Sequence, residues 1–461
     1  MTTAAPLAIT SHNPADPAEV LLRIPAPGAF ETVDTVEHAR AAQPGWLLGG
    51  AAARSAALGA VADAIDAARV ELAELAVREV GKPLTEARAE VARTAAIWRY
   101  YAQAPYEPVG AVHETAAGPG LLFSRRRPHG VAGLITPWNF PFAIPSWKAA
   151  PALAAGNTVV LKPAPEATAC ALRLAEIVQQ VVPAGVFTVL PGGPTEGNAL
   201  VSAADVVSFT GSTAVGKAVA RVATARGVPV QAEMGGLNAA VVLPDADIEQ
   251  AAAHIAASIA GYAGQKCTAT SRVIAVGAAL EPLRDALAAA LRDVPVGDPA
   301  DAATVCGPLI SEHARGQVGD AWHGLSALAG GTVSDRPGWY TAPTLVEKVP
   351  AGHRLLREEV FGPIAALLPA DDLAHAVRIS NSVPYGLVTS VHTADLNAAL
   401  SGLDGLDTGM IRINAPSTGV DFHLPFGGAK ASSHGPREQG RAALEFYTSS
   451  RTYTLSPAGA T

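Results

Sequence analysis

Cys267 stands in Gly264-Gln265-Lys266-Cys267-Thr268, among small and polar residues rather than in an apolar stripe. A lone cysteine is more often a buried filler than a nucleophile. A neighbouring cation such as Lys266, however, lowers a thiol pKa and favours the reactive thiolate. Glu233, in Glu233-Met234-Gly235-Gly236, ends the strand-like run Val228-Pro229-Val230-Gln231 and precedes two glycines. A strand-end carboxylate in solvent is the bland reading of it, and a general base for water or thiol the sharp one. A third segment, Phe209-Thr210-Gly211-Ser212-Thr213-Ala214-Val215-Gly216, reads as strand, glycine turn and helix start. Amides at a helix N-terminus suit a pyrophosphate, although the glycine spacing departs from the full G-x-G-x-x-G fingerprint.

These segments need elements to position them. From about Ala51 to Ala104 the chain reads as helices, with Leu58, Val61, Ala62 and Ile65 on one buried face and a break at Gly81-Lys82-Pro83. From Gly130 strands and helices alternate. Strands are expected at 131–135, 158–161, 186–190 and 206–209, and helices at about 147–155, 169–182 and 213–226. That pattern predicts a doubly wound parallel sheet. Its ligands bind beyond the carboxyl ends of the strands, so 136–139, 162–166 and 210–213 should converge. A second α/β pattern runs from about Ala239 to Gly419, with a helix over 280–291 and a strand near 410–414.

Read together and in order, Thr136-Pro137-Trp138-Asn139-Phe140-Pro141, Leu161-Lys162-Pro163, Phe209-Thr210-Gly211-Ser212-Thr213, Glu233-Met234-Gly235-Gly236, Gly264-Gln265-Lys266-Cys267, Glu358-Glu359-Val360-Phe361-Gly362-Pro363 and Pro425-Phe426-Gly427-Gly428 resemble the aldehyde dehydrogenase superfamily. The resemblance covers nearly the whole chain. It implies an α/β fold with a Rossmann-like cofactor domain (1–105 and 129–232), an α/β catalytic domain (233–425) and a small β oligomerisation element (106–128 and 440–461), assembled as a homodimer or homotetramer. It also implies NAD- or NADP-dependent oxidation of an aldehyde to a carboxylic acid. Cys267 would attack as a thiolate. The Asn139 amide and the Cys267 backbone N–H would hold the oxyanion, and Glu233 would activate the water that hydrolyses the thioester. Lys148 and Glu438 match positions linked to proton relay from that glutamate, with a surface-charge role as the alternative.

For the cofactor, the resemblance implies Thr136, Pro137, Trp138, Lys162, Pro165, Gly211, Ser212, Gly216, Gly235, Glu359 and Phe361. For the aldehyde it implies Phe140, Ile144, Trp147, Lys266, Thr268 and Phe426. Pro165 replaces a glutamate that many NAD-preferring members carry, with Glu166 one step later, which leaves NAD against NADP open. Leu237 stands where lysine is common. The cues to the aldehyde conflict. Trp147 replaces an arginine used by some semialdehyde dehydrogenases, yet 419–423 and 435–440 look like the 2-oxoglutarate semialdehyde branch. The balance favours an apolar or aromatic aldehyde, with Lys266 or His423 as the groups that would meet an anionic one. Retention of Glu233 argues against a CoA-acylating relative. The presence of Cys267, Asn139, Glu233 and Lys162 together argues against a non-catalytic protein on the same fold.

Composition bounds the partners. The formal charge is −8, from 33 basic and 41 acidic residues, and the only basic run is Arg125-Arg126-Arg127 on a strand or loop, so nucleic acid is not expected. Three scattered cysteines suit neither a disulfide framework nor a metal site. No long apolar core precedes Arg23 and no run reaches the length of a membrane span, so a cytoplasmic location is expected. Charged residues make up only 16% of the chain, which fits a surface partly covered by subunit contacts.

Overall fold

The computed structural model describes residues 8–116, 119–332, 336–400 and 403–456. A six-stranded sheet runs in the order Ser433–His434, Val230–Glu233, Val206–Thr210, Val131–Thr136, Thr158–Pro163, Phe187–Val189. Five of its strands are parallel, and Ser433–His434 pairs antiparallel at one edge. Strands 131–136 and 158–163 are buried throughout. That is why they read as continuous apolar runs rather than alternating ones. The register sets Thr136 beside Pro163 and Thr210 beside Glu233, so the expected ligand-binding turns leave one edge of the sheet.

A second sheet of seven strands runs Ser326–Ala329, Thr344–Glu347, Ile364–Ala370, Thr270–Val276, Asn238–Val242, Val388–His392, Met410–Ile413. All its pairs are parallel except the first. The chain crosses from the first sheet to the second through 234–237. Cys267 lies three residues before strand Thr270–Val276. The junction of the two sheets is therefore where Glu233 and Cys267 come together.

Helices Gly50–Ala67, Arg69–Val80 and Leu84–Ala102 bury Leu58, Val61, Ala62 and Ile65 as expected. Gly81 ends the second of them at φ +65, where a Cβ would strike Pro308 and Pro14. Strands Ala8–Asn13 and Asp16–Pro25 and helices Gly28–Leu48 and Pro194–Ala203 were not anticipated. Helix Gly28–Leu48 buries only Thr32, Val36, Ala39 and Trp46 and carries Pro44 inside it, so its apolar stripe is thin. The third sheet is a ribbon of Thr448–Leu455, Leu121–Pro128 and Gly110–His113. Arg125, Arg126 and Arg127 lie on its central strand, and Phe123 stacks on Tyr453 at 4.6 Å. In the expected 440–461 segment this strand begins only at Thr448. Before it, Gly440–Phe446 is a helix whose Ala443 and Phe446 join the core under helix Ala143–Ala154. Ala117, Gly118 and residues 457–461 of the same expected element lie outside the described residues. Among the described residues no helix is long and apolar enough to cross a membrane.

Candidate active site

Helix Ile248–Ala260 breaks at Gly261, and Tyr262, Ala263 and Gly264 then take φ values of 54, 51 and 66. Two of these three left-handed residues are not glycine, a strain that needs support. The Tyr262 hydroxyl donates to the Val80 carbonyl at 2.9 Å. Gln265, fully buried, donates to Pro308 O at 3.2 Å and accepts from Ile310 N at 2.8 Å. A Cβ on Gly264 would run into the Gly362 carbonyl. The turn delivers Cys267, whose carbonyl accepts from Asn238 Nδ2 at 2.7 Å. Cys267 is partly exposed, whereas Cys170 and Cys306 are fully buried fillers.

Lys266 does not activate the thiol as its position in sequence suggests. Its ammonium is held by Glu86 at 2.8 Å. Burial, followed by the carboxylates of Glu359, Glu233 and Glu438, pushes the Cys267 thiol up to about 12. The thiol therefore needs a proton acceptor to react. Asn139 lies beside it. Its Nδ2 donates one hydrogen to Gln265 O at 2.9 Å, and an amide nitrogen has a second to give.

Glu233 is 2% exposed, so its solvent-facing reading fails. Oε2 accepts from Ser433 Oγ at 2.7 Å, while Oε1 is buried without a partner and faces Gly427. Burial and then the charge of Glu438 raise its pKa well above the usual carboxylate range, against the Ser433 hydrogen bond and the charges of Lys148 and Arg437. The surface reading of Lys148 and Glu438 fails too. Both are 1% exposed and form an ion pair, with Ser208 Oγ 2.7 Å from the lysine and Trp147 Nε1 donating to Glu438 at 2.7 Å.

Two cavities meet at Cys267. One, of about 300 Å³, is lined by Pro137, Trp138, Asn139, Gly211, Ser212, Gly235, Glu359 and Phe361, with Thr210, Met234, Gln317 and Val360. Phe361 takes φ 56 and meets Trp138 edge-on at 5.7 Å. Glu359 accepts from Gly236 N at 3.2 Å, and burial raises it to about 7. The other cavity, of about 260 Å³, is lined by Phe140, Ile144, Trp147, Lys266, Thr268 and Phe426, with Glu86, Ala89, Glu90, Arg93 and 418–420. Ile144 and Cys267 belong to both.

Four expected cofactor residues lie outside the first cavity wall. Thr136 and Lys162 are buried at the strand ends, Lys162 donating to Pro163 O and Gly192 O at 2.6 and 2.7 Å, and burial lowers its pKa to about 8. Pro165 opens the turn after that strand, and Gly216 lies against Met234 and Phe209, where a Cβ would not fit. His423 is exposed and touches Phe422 rather than the second cavity.

The face Glu86, Ala89, Glu90 and Arg93 was not anticipated. Its spacing of i, i+3, i+4, i+7 on helix Leu84–Ala102 was the signal available. Glu90 accepts from the backbone N–H groups of Phe142 and Ala143 at 2.9 Å each, and so caps helix Ala143–Ala154 from outside. Its partner Lys82 is fully buried, 3.8 Å from the centre of the Phe140 ring.

A model of the aldehyde dehydrogenase family matches residues 2–453. The chain belongs to that family. An alpha-ketoglutaric semialdehyde dehydrogenase of Bacillus subtilis is 38% identical over 97% of this chain and 94% of its own length. An aminoacetaldehyde dehydrogenase of Pseudomonas aeruginosa is 36% identical over 96% and 91%. The solved NAD-dependent aldehyde dehydrogenase of Sinorhizobium meliloti superposes with a TM-score of 0.94 at 33% identity, covering 100% of this chain and 94% of that one. The expected fold is therefore borne out, and this aldehyde dehydrogenase is an enzyme that uses NAD or NADP. The two relatives named act on aldehydes of opposite charge, so membership alone does not name the substrate.

Proposed function

We propose that Cys267 carries the acyl group of an aldehyde from the second cavity while NAD or NADP occupies the first. The observation that carries this reading is the position of Cys267 at the junction of the two cavities. The residues present suit the cofactor. Thr210 Oγ1 is buried without a partner at the cavity wall, Ser212 precedes the N-terminus of helix Thr213–Ala225, and Gly235 leaves room beside it for the Glu359 carboxylate. Glu359 and Phe361 would hold the nicotinamide end, with Ser212 and, further along the sheet edge, Thr136, Lys162 and Pro165 toward the adenosine end. When bound, NAD(P) supplies the hydride acceptor.

Glu233 takes the thiol proton through its free Oε1, directly or through water. The Cys267 sulfur then bonds to the aldehyde carbon. The resulting oxyanion is held by the second N–H of Asn139 and by the backbone N–H of Cys267. Loss of hydride from that carbon leaves a thioester on Cys267. Once Glu233 has passed that proton on, it deprotonates a water that attacks the thioester carbon; collapse frees the carboxylic acid and the Cys267 thiolate, which takes the proton back from Glu233. Lys148 and Glu438 oppose each other in setting the pKa of Glu233 and stand next in line for its proton. The ribbon of strands 110–113, 121–128 and 448–455 leaves edges that another subunit would pair, which supports a homodimer or homotetramer. The division into cofactor, catalytic and oligomerisation units at 1–105 with 129–232, 233–425, and 106–128 with 440–461 follows from the same reading, except that helix Gly440–Phe446 packs into the core of the first unit.

The test is transient kinetics on Glu233→Gln, with Cys267→Ala as control. Glu233→Gln should give a first-turnover burst of reduced nicotinamide and a steady state slower by ~10²–10⁴-fold. The Cys267→Ala variant should give no burst. Wild-type steady-state acid formation by Glu233→Gln removes Glu233 as the base. Acyl-CoA formed in place of free acid would move the chain to the acylating reaction.

A further inference from the structure

We infer that the aldehyde cavity selects substrates with a carboxylate distal to the carbonyl, and that Arg93 is the residue that holds it. This rests on the reading that this cavity takes the aldehyde. Four charged residues line it: Glu86, Glu90, Arg93 and Lys266. Three are already engaged. Lys266 is bound to Glu86 at 2.8 Å, and Glu90 is bound to the buried Lys82 and to two backbone N–H groups. Arg93 makes no hydrogen bond or ion pair among the described residues and is half-buried, on the same helical face as the two glutamates. The lining therefore carries one uncompensated positive charge.

The rest of the wall decides what that charge meets. Phe140, Ile144, Trp147, Val420 and Phe426 are apolar and give a hydrocarbon chain its path toward Cys267. A guanidinium offers five N–H donors in a planar fork that matches a carboxylate with two parallel bonds. A cation half-withdrawn from water without a partner is poorly solvated, and an arriving anion relieves that. An apolar aldehyde would use the walls and leave Arg93 unsatisfied. A cationic aldehyde would be repelled by it. The apolar walls that favoured a neutral substrate in sequence are thus the path, and the recognition group sits on a different helix from Trp147.

The experiment compares kcat/KM for glutaric semialdehyde and pentanal, which have equal carbon counts, at saturating cofactor in the wild type, Arg93→Met and Arg93→Lys. Wild type should prefer glutaric semialdehyde, and the ratio of the two kcat/KM values should fall roughly 10- to 100-fold in Arg93→Met, the range of a hydrogen-bonded charge. The loss should come mainly through KM, with partial recovery in Arg93→Lys. Calorimetric titration of Cys267→Ala with glutarate should show binding that is weakened when Arg93→Met is added. A wild type that is indifferent to the carboxylate, or a ratio that Arg93→Met does not change, overturns the proposal. Cys267-dependent oxidation of pentanal in either of those cases leaves the aldehyde reaction standing. Absence of reduced nicotinamide from every aldehyde overturns both.

Discussion

The cavity on the cofactor side is walled mainly by the turns that leave the strand ends, Gly211 and Gly235 among them, and by the segment 359–361, with Phe361 at a positive φ. The cavity on the aldehyde side is walled by side chains from helices 84–102 and 143–154 and from the loop at 418–420. Space made by an absent Cβ closes when one is added, because the added atom meets a neighbour already in place, the Glu359 carboxylate at Gly235 and the Phe209 ring at Gly211. Space made by side chains changes shape with each of them. The first arrangement suits a ligand that stays the same, and the second a ligand that differs from one relative to the next.

Three changes would break or sharpen this contrast. Gly235→Ala is expected to have the largest effect of the three, because its Cβ would overlap the Glu359 carboxylate. We expect kcat/KM for the cofactor to fall ~10²-fold, as for a site displaced by about an ångström, while the ranking of aldehydes stays as it was. A variant with wild-type cofactor kinetics would show that the Glu359 carboxylate moves aside without cost to the cofactor. Val420→Ala opens the aldehyde side alone. It should re-rank aldehydes of different bulk by about 10-fold, the worth of a methylene or two in an apolar pocket, with cofactor KM unmoved. A shift in cofactor KM would mean that the two cavities are not separable. Ser433→Ala acts on Glu233 rather than on either wall and should have the smallest effect. Its hydroxyl lowers the Glu233 pKa by bonding the charged form. Removing it raises that pKa, so Glu233 stays protonated to higher pH and the acid limb of kcat moves up by roughly half to one unit. A limb that stays in place, or moves down, would exclude Glu233 as the group titrating there.

The same contrast explains what was legible in the sequence. Strand-end motifs such as Thr210-Gly211-Ser212 and Glu233-Met234-Gly235-Gly236 are local, because a strand, a turn and a glycine define their geometry, and they landed where expected. Side-chain walls are assembled from distant segments. Glu86 neutralises Lys266 from 180 positions away, and Glu438 meets Lys148 across 290. The lysine beside the nucleophile therefore looked like its activator, and the Lys148–Glu438 pair could be taken for surface charge. The burial that raises the Cys267 and Glu233 pKa values is equally non-local. The strain at Tyr262 and Ala263 had no signal, since neither residue type announces a left-handed backbone.

Among the described residues the one unpaired cation facing the aldehyde cavity is a guanidinium, and this has a chemical consequence. Amines condense with aldehydes to imines, so a free lysine in that wall would be consumed by the compounds the enzyme processes. The guanidinium of Arg93, which lines the cavity, offers no comparable nucleophile. The ammonium groups of Lys266, in the cavity wall, and of Lys82, against Phe140, are each held by a carboxylate. The cavity can thus attract through positive charge and still withstand its own substrate over many turnovers.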